Sequence, residues 1–149
     1  MLLWRISNHV SLDGGGGLRA SQRWHTRGRP VVYCAPNPAT ALLEVLVHLE
    51  IDLEDLPTHY RFLKIEAPET TTIEQIERTA LPSDWVENTS VTRRIGDTWL
   101  HSQRSALLAV PCVLVPETYN LLLNPLHPDA TQVRIVDVIE YPLDTRLLS

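Results

Sequence analysis

Runs of hydrophobic residues, separated by turn-forming segments, predict most of the strands in this chain. β-Branched and aromatic residues predict short strands at Leu2–Ile6 and Val31–Ala35, and the alternation over His59–Ala67 predicts a half-buried strand. Three later apolar runs predict strands packed in one sheet: Ala106–Pro116, Tyr119–Pro125 and Val133–Asp144. Pro111 is expected to mark a bulge or a break between two strands, because proline cannot donate to a sheet.

Two segments have the spacing and the end signals of helices. Asn37 and Pro38 supply a cap and a proline at the first helical position, so a helix is predicted from Ala39 to about Glu50. Hydrophobic residues at helical spacing predict a second helix over Ser90–Gln103. The polar, proline-containing segment Pro68–Glu87 predicts a loop with a short helix.

The chain is expected to form one α+β domain over residues 1–149. No linker-like composition or internal repeat divides it, and 149 residues are enough to bury a hydrophobic core. Its two cysteines, Cys34 and Cys112, both lie in apolar runs. They are therefore expected to be buried free thiols rather than a disulfide.

Charge and hydropathy argue against several classes of function. The formal net charge of −5 gives no overall attraction to nucleic acid or to anionic lipid. No run approaches the roughly 18 apolar residues that span a membrane. The N-terminal residues lack the basic, apolar and small-residue order of a signal peptide, so a cytoplasmic protein is expected.

Two features that often bind ligands give weak signals here. The glycine run Gly14–Gly17 is expected to be a mobile loop, and it lacks the residues that complete a phosphate-binding motif, so a flexible cover is favoured over a phosphate contact. The histidines form no His-x-His or i, i+4 pair, so no metal site is expected. Cys112 with His101 or His127 is a candidate nucleophile pair, although a core cysteine is favoured.

Glu44 raises the sharpest question in the sequence. It interrupts a helix that is apolar almost all the way round, where an unpaired buried carboxylate costs several kcal/mol. On a helical wheel it lies beside the apolar face, in a stripe with Ala41 and His48. Two interpretations follow: a buried ion pair with an arginine such as Arg23 or Arg27, or a carboxylate that lines a pocket and uses its charge there.

Two long segments taken together resemble the RES-domain family, the toxins of toxin–antitoxin pairs. In the first, QRWHTRGRPVVYCAPNPATALLEVLVHLE, an Arg-Trp segment precedes a VVY-x-A strand and an A-L-L-E-x-L-V-H helix. In the second, LLAVPCVLVPETYNLLLNPLHPD, a Val-Pro segment precedes N-x-L-L-N-P-x-H-P-D. The resemblance extends from about Trp4 to Arg146, with the motifs in the expected order.

The resemblance implies a fold similar to the ADP-ribosyltransferases, with a mixed, mostly antiparallel central sheet flanked by helices. It also implies cleavage of the nicotinamide–ribose bond of NAD, which is a substrate and not a cofactor, with phosphate as a potential co-substrate. The family's catalytic arginine, tyrosine and glutamate fall on Arg23, Tyr33 and Glu44. The residues implied to bind substrate are Arg23, Tyr33, Cys112 and Asn124.

These residue types suit the implied chemistry. Arginine presents a planar fork to pyrophosphate oxygens, and an aromatic face attracts the cationic nicotinamide ring. A carboxylate stabilises the oxocarbenium-like ribose that forms as nicotinamide leaves. Considered one at a time, Tyr33 would be a core aromatic, Arg23 a surface residue and Asn124 part of a turn, so the functional interpretation depends on the set.

The chain departs from the family pattern at two positions. Cys112 stands where the family has the serine of a Val-Pro-Ser segment, and His25 stands where asparagine is usual. A thiol is a weaker hydrogen-bond donor than a hydroxyl. Three interpretations of Cys112 stay open: a tolerated replacement, a weakened enzyme in which Ser102 or Ser105 contributes, and a thiol with its own chemistry.

The resemblance also implies a partner and several activities. The partner is a cognate Xre-like antitoxin that binds DNA and blocks the active site, in a multimeric complex, so the toxin itself is expected to bind neither nucleic acid nor membranes. The favoured activity is degradation of free NAD by hydrolysis or phosphorolysis. The alternatives are transfer of ADP-ribose to a protein target and a catalytically weakened module that binds only NAD or the antitoxin.

Overall fold

The computed structural model describes residues 1–48 and 58–148 of the chain. Its strands are β1 (Leu2–Ile6), β2 (Val32–Cys34), β3 (His59–Glu66), β4 (Ile73–Gln75), β5 (Leu107–Pro111), β6 (Tyr119–Leu123) and β7 (Arg134–Pro142). Its α-helices are α1 (Gly15–Arg19), α2 (Pro38–Val47) and α3 (Thr89–Ser102). Short 3-10 helices occupy Arg78–Ala80, Pro128–Gln132 and Thr145–Leu148.

Most of the predicted elements are confirmed within one to three residues. The segment Pro68–Glu87 is more structured than predicted, because it contains β4 as well as a 3-10 helix. β5 ends at Pro111, which agrees with the predicted break. The predicted end of the α2 helix at Leu49 and Glu50 lies outside the described residues.

The strands form two sheets, which corrects the prediction of one central sheet holding all the late strands. β1, β3 and β7 form one antiparallel sheet in that order, and β2, β6, β5 and β4 form the other. In the second sheet β4 and β5 are parallel and the remaining pairs are antiparallel. The last long strand, β7, pairs with β3 and not with the other late strands, β5 and β6. An apolar run specifies that a strand is buried, and it does not specify which strand it pairs with.

The second sheet is covered on both faces, because successive side chains of a strand point to opposite sides. One face packs against the first sheet in an inter-sheet core, and its members include Leu3, Leu63, Ile65, Val32, Leu121 and Leu123. The other face packs against a layer that contains Trp24, Trp85 and Trp99, called here the tryptophan layer, together with Leu108, Val110 and Leu122. The result is a single α+β domain with mostly antiparallel sheets, as predicted.

The glycine run is a short helix rather than the predicted loop. Gly14 has a φ of +74°, which favours glycine, and α1 follows directly. A Cβ on Gly17 would lie 2.3 Å from the carbonyl oxygen of Arg29, so only glycine allows α1 to pack this closely. The Gly17 carbonyl also accepts a hydrogen bond from Gly28 N at 3.1 Å. These contacts order a segment that composition alone predicts to be mobile.

Helix α2 begins as predicted and is less buried than its sequence indicates. Asn37 Oδ1 accepts a hydrogen bond from Thr40 N at 2.8 Å, and Pro38 occupies the first turn. Leu43 and Val47 are 40% and 56% exposed among the described residues, so one apolar side of α2 is open. Glu44 lies at the flank of this open side, and its carboxylate reaches Asn120 of β6.

Helix α3 fixes the position of the segment that precedes β2. A Cβ on Gly96 would lie 1.6 Å from the carbonyl oxygen of Trp24, so the helix and this segment are in direct backbone contact. Thr92 Oγ1 donates to the carbonyl of Arg23 at 2.6 Å in the same contact. The packing therefore holds Arg23 and Trp24 against the tryptophan layer.

Both cysteines are buried free thiols, as predicted. Burial raises the pKa of Cys34 to about 12. Among the described residues, no helix has the length and apolar character needed to cross a bilayer. The same residues contain no cluster of three or more metal-binding side chains.

Candidate active site

Two neutral donors hold the carboxylate of Glu44. Asn120 Nδ2 donates to Glu44 Oε1 at 2.8 Å, and Cys112 Sγ lies 3.5 Å from the same oxygen. His48 Nε2 lies 3.9 Å from the other oxygen, Oε2. Within the described residues no arginine lies at ion-pair distance, which excludes the arginine pair there. The side chain of Glu44 is 32% exposed, so it is partly open to solvent where α2 meets the end of the second sheet, a place called here the cleft.

Strand alternation explains why Asn120 and Cys112 face Glu44. Asn120 pairs with Val110 across the β5–β6 ladder and shares the face of Leu122, which belongs to the tryptophan layer. Cys112 lies two residues beyond Val110, and its N–H still bonds to the Thr118 carbonyl at 2.8 Å. Both side chains therefore emerge on one face at the end of the sheet, where α2 passes over them.

Tyr33 occupies the same face, close to Asn120. Tyr33 pairs with Leu122, which makes Asn120 its diagonal neighbour across the strands, at a backbone separation of roughly 7–8 Å. The hydroxyl of Tyr33 contacts His25 Nδ1 at 2.8 Å and accepts from Trp24 N at 3.2 Å. The predicted proximity of Tyr33 and Glu44 is thus consistent with the strand register.

His25 is completely buried, and its contacts define its tautomer. Its Nε2 lies 3.2 Å from the Gly17 carbonyl, which only accepts, so Nε2 carries a proton. Nδ1 then accepts from the hydroxyl of Tyr33. Both functions of that hydroxyl are used within the protein, and these two contacts fix the orientation of the Tyr33 ring. Burial also raises the pKa of Tyr33 well above its ordinary value, so the phenol stays neutral.

Arg23 lies on the tryptophan layer beside a second arginine. Its Nη1 donates to the carbonyl of Val86 at 2.7 Å, and its guanidinium carbon lies 5.9 Å from the centre of the Trp85 ring. The guanidinium of Arg78 lies 5.4 Å from the same ring, and Arg78 Nη2 donates to the Cys112 carbonyl at 3.0 Å. Two cations therefore share one aromatic side chain next to the residue that contacts Glu44.

These contacts connect four of the predicted site residues. The carboxylate of Glu44 contacts the thiol of Cys112. The Cys112 carbonyl accepts a hydrogen bond from Arg78, and the guanidinium groups of Arg78 and Arg23 both lie near the ring of Trp85. The backbone N–H next to Arg23, that of Trp24, reaches the hydroxyl of Tyr33. A carboxylate, an aromatic face and two guanidinium groups thus border one region of the tryptophan-layer face.

Asn124 is not part of this group in the structure. It is 1% exposed, its Nδ2 donates to the Leu100 carbonyl at 3.3 Å, and its Oδ1 accepts from Leu126 N at 3.1 Å. It lies four residues beyond Asn120 on the same strand face, a distance of about 13 Å along an extended chain. Asn124 therefore supports the turn after β6, and the asparagine that contacts Glu44 is Asn120, which the sequence analysis did not single out.

The other suggested partners of Cys112 lie elsewhere. Ser105 accepts from Trp99 Nε1 and donates to the Leu107 carbonyl, both at 2.8 Å, and Ser102 donates to the Trp99 carbonyl at 2.8 Å. Neither serine substitutes for a hydroxyl at Glu44. The thiol of Cys112 contacts the carboxylate and, among the described residues, neither candidate histidine, so the nucleophile pair is wrong.

Sequence reasoning missed Asn120 and Arg78 for different reasons. Part of the position of Asn120 could be predicted, because alternation along Tyr119–Leu123 places its side chain on the same face as Leu122. The local sequence does not show that α2 packs over Asn120. Arg78 lies in a polar segment without periodicity, and its contact with Cys112 joins positions 34 residues apart. No sequence signal in this chain distinguishes it from other exposed arginines.

Comparisons with known proteins agree with this architecture. The family described as "RES domain" matches residues 2–144. The chain is 48% identical over 147 residues to a protein named Toxin Res from Pseudomonas putida, covering 99% of both chains. It is 36% identical over 155 residues to one named Prs ADP-ribosylating toxin from a Sphingobium species, covering 97% of this chain and 95% of that one.

A solved structure has the same fold. The crystal structure of the Mycobacterium tuberculosis MbcT–MbcA toxin–antitoxin complex contains a chain that superposes with a TM-score of 0.77, at 16% identity. The match covers 95% of this chain and 84% of that chain. From the extent of the family match and the identity to full-length relatives, the chain belongs to the RES domain family of toxins.

Proposed function

We propose that this toxin cleaves the nicotinamide–ribose bond of NAD, with Glu44 as the catalytic carboxylate. The observation that carries the proposal is that Glu44 Oε1 is fixed by Asn120 and Cys112 while the side chain stays partly open to solvent. Both donors are neutral, so they orient the carboxylate without cancelling its charge. The name of the Sphingobium relative, an ADP-ribosylating toxin, supports chemistry on NAD in this family.

The reaction breaks one bond and forms one bond at the same carbon. The bond between ribose C1′ and the nicotinamide nitrogen breaks, and its electron pair leaves with nicotinamide. The ribose ring then carries oxocarbenium character, which the negative carboxylate of Glu44 stabilises. An acceptor oxygen adds to C1′ and loses its proton. A preorganised charge of this kind contributes roughly 3 kcal/mol to the transition state.

The neighbouring groups match the remaining parts of NAD. The face of Tyr33 attracts the cationic nicotinamide ring, an interaction worth about 0.5–2 kcal/mol. Its hydroxyl is already bonded to His25 and Trp24, which holds the ring in one orientation. Arg23 and Arg78 supply guanidinium groups suited to the two phosphates.

The test is release of free nicotinamide by purified protein, with Glu44→Gln beside the wild type and with and without phosphate. Wild-type release and a loss of about a hundredfold or more in the variant are expected. Faster release with phosphate, with ADP-ribose 1″-phosphate formed, would identify phosphorolysis, and release independent of phosphate, with ADP-ribose formed, would identify hydrolysis. Folded wild type that releases no nicotinamide in either condition would overturn the proposal.

Transfer of ADP-ribose to a protein is the second candidate, and the name of the Sphingobium relative favours it. Both reactions share the cleavage step and differ in the acceptor. Intact-mass measurement of cell protein after incubation with NAD separates them. A mass increase on one protein species indicates transfer, and free nicotinamide without any such increase indicates degradation.

We also propose that a cognate antitoxin covers this cleft, which the toxin–antitoxin complex of the structural relative supports. The resemblance favours a DNA-binding antitoxin of the Xre-like kind within a multimeric complex. Mixing the toxin with the antitoxin encoded beside it should suppress nicotinamide release in proportion to complex formation. Complex formation with full activity would show that the antitoxin binds elsewhere.

A further inference from the structure

A second cavity lies on the other face of the second sheet. It has a volume of about 310 Å³ and is bordered by the end of β1, the glycine run and Val32. Val32 belongs to the inter-sheet core, whereas Glu44 and Asn120 lie on the tryptophan-layer face. The cavity is therefore separate from the cleft at Glu44, and the glycine run that forms its wall has no part in the proposed chemistry.

Two guanidinium groups border this cavity and have N–H donors that no described residue accepts. Arg5 is half-buried, and its Nη1 donates to the Tyr33 carbonyl at 3.0 Å, which anchors one edge of the group. Arg19 makes no hydrogen bond or ion pair to any described residue. Its Nη2 lies 3.3 Å from the position a Gly15 Cβ would take, so glycine leaves room for the guanidinium to lie over α1.

Two serine hydroxyls add uncharged donors. Ser7 Oγ accepts from His9 N at 3.0 Å, and Ser11 Oγ accepts from Asp13 N at 3.1 Å. These bonds use the oxygen lone pairs and leave both hydroxyl hydrogens available. Ser7 and Ser11 both line the cavity, so the available hydroxyls and guanidinium groups border the same space.

One carboxylate borders the cavity and is already engaged. Asp13 Oδ1 accepts from Gly15 N at 2.9 Å, and its Oδ2 lies 3.4 Å from His9 Nε2. These contacts lower the pKa of Asp13, so it stays ionised and holds the turn before α1. Arg5 and Arg19 against Asp13 leave one excess positive charge at the cavity, in a chain whose formal net charge is −5.

We propose that this cavity binds a phosphate-bearing anion. Planar guanidinium groups and hydroxyls are the donors that phosphate oxygens accept most strongly, and the cavity volume lies at the lower end of small-ligand sites. The ligand is either a nucleotide diphosphate, bound apart from the NAD whose phosphates are assigned to Arg23 and Arg78, or free inorganic phosphate. Neither source depends on NAD cleavage at Glu44. Arg5 connects the site to Tyr33 through the Tyr33 carbonyl.

The test is calorimetric titration of the full chain with ADP-ribose and, separately, with inorganic phosphate. Arg19→Gln removes an exposed guanidinium at the cavity, and Ser11→Ala removes one hydroxyl donor. Arg61→Gln is the matched control, because it removes an equal charge from an exposed arginine that pairs with Glu140 on the first sheet. Loss of one charge-assisted hydrogen bond should weaken binding by about tenfold in Arg19→Gln and by less in Ser11→Ala.

The results distinguish the two sources. Weaker ADP-ribose binding in Arg19→Gln, with phosphate competing in the wild type, assigns the cavity to the nucleotide. Weaker phosphate binding with unchanged ADP-ribose binding assigns it to free phosphate. Equal affinities of Arg19→Gln, Ser11→Ala and wild type for both probes would overturn the proposal. The titration needs no turnover, so it stands even if the nicotinamide assay fails.

Discussion

At the residue scale, the central observation is that an amide and a thiol, rather than an arginine, contact the Oε1 atom of Glu44. An arginine partner would orient the carboxylate and also neutralise it, which would remove the field that a developing oxocarbenium needs. The amide of Asn120 and the thiol of Cys112 orient it while leaving the charge intact. Their proximity to Glu44 is a reason to treat both as positioning residues.

Asn120→Ala should slow nicotinamide release more than it changes the KM for NAD. The variant removes the 2.8 Å hydrogen bond to Glu44, so the carboxylate loses its fixed direction, and a fall in kcat of about ten- to a hundredfold is expected. Steady-state kinetics measures it. A change confined to KM would show that Asn120 contacts substrate instead.

Asn124→Ala is the comparison for that variant. Its buried amide serves the turn after β6, so the expected loss is about 1–3 kcal/mol of unfolding free energy, with the kcat of the folded protein unchanged. Urea unfolding measures the stability. If Asn124→Ala lowered kcat as much as Asn120→Ala without loss of stability, the assignment of the two asparagines would be reversed.

Cys112→Ser should raise the rate of nicotinamide release severalfold. The thiol lies 3.5 Å from Glu44 Oε1, whereas a hydroxyl donates more strongly and at a shorter distance. Cys34→Ser is the control, since it makes the same replacement at a buried thiol of the inter-sheet core, and it should only reduce stability. Unchanged or slower release in Cys112→Ser would favour a tolerated replacement or a thiol with its own role.

At the scale of elements, α1 shows how a glycine run can be ordered by what it packs against. Gly17 lies against the Arg29 carbonyl, and its own carbonyl accepts from His25, whose ring holds the Tyr33 hydroxyl. Helix α1 therefore helps to position Tyr33 through the buried ring of His25. Composition predicts the flexibility of such a run and carries no information on the surface that receives it.

Gly17→Ala should destabilise the protein while Gly16→Ala should not. The Gly17 Cβ would lie 2.3 Å from backbone, which overpacks the contact and costs about 1–3 kcal/mol. A Gly16 Cβ meets nothing within 4 Å, so alanine there is neutral or stabilises α1 by up to about 1 kcal/mol. Thermal or urea unfolding of the pair measures this. Equal stabilities would show that α1 detaches from Arg29 at little cost.

The element boundaries could be predicted well and the sheet membership could not. β1 and β3 have strong local patterns, and their predicted limits match to within one residue. β4 is three residues long, and Ile73 is its one apolar residue, too little to show a period. The pairing of β7 with β3 depends on the path after β6, which hydrophobic periodicity does not encode.

At the scale of the whole molecule, two buried groups predict how stability responds to alkaline pH. Burial raises the pKa of Cys34 from 9.0 to about 12 and raises that of Tyr33 above its ordinary 10. The folded state therefore keeps protons that the unfolded state releases. This contribution is fully present below pH 9 and is lost as pH rises toward the folded pKa values, at up to about 1.4 kcal/mol per pH unit for each group.

Urea unfolding between pH 8 and 11 measures this slope. A Cys34→Ala and Tyr33→Phe double variant should be less stable at pH 8 and should show a shallower decline above pH 9. A wild-type stability that does not change over this range would contradict the burial of both groups. The design compares slopes, so the packing lost in the variant does not affect the conclusion.

The sequence by itself predicted most of the elements, the family and the candidate site residues Arg23, Tyr33 and Glu44. These are local properties, because periodicity and capping act within one segment and the motifs lie in two continuous stretches. Only the tertiary structure decided that Asn120 and not Asn124 meets Glu44, that Arg78 shares Trp85 with Arg23, and that α1 is packed. Each of these depends on contacts between segments distant along the chain, and such contacts arise from the packing of sheets and helices as a whole.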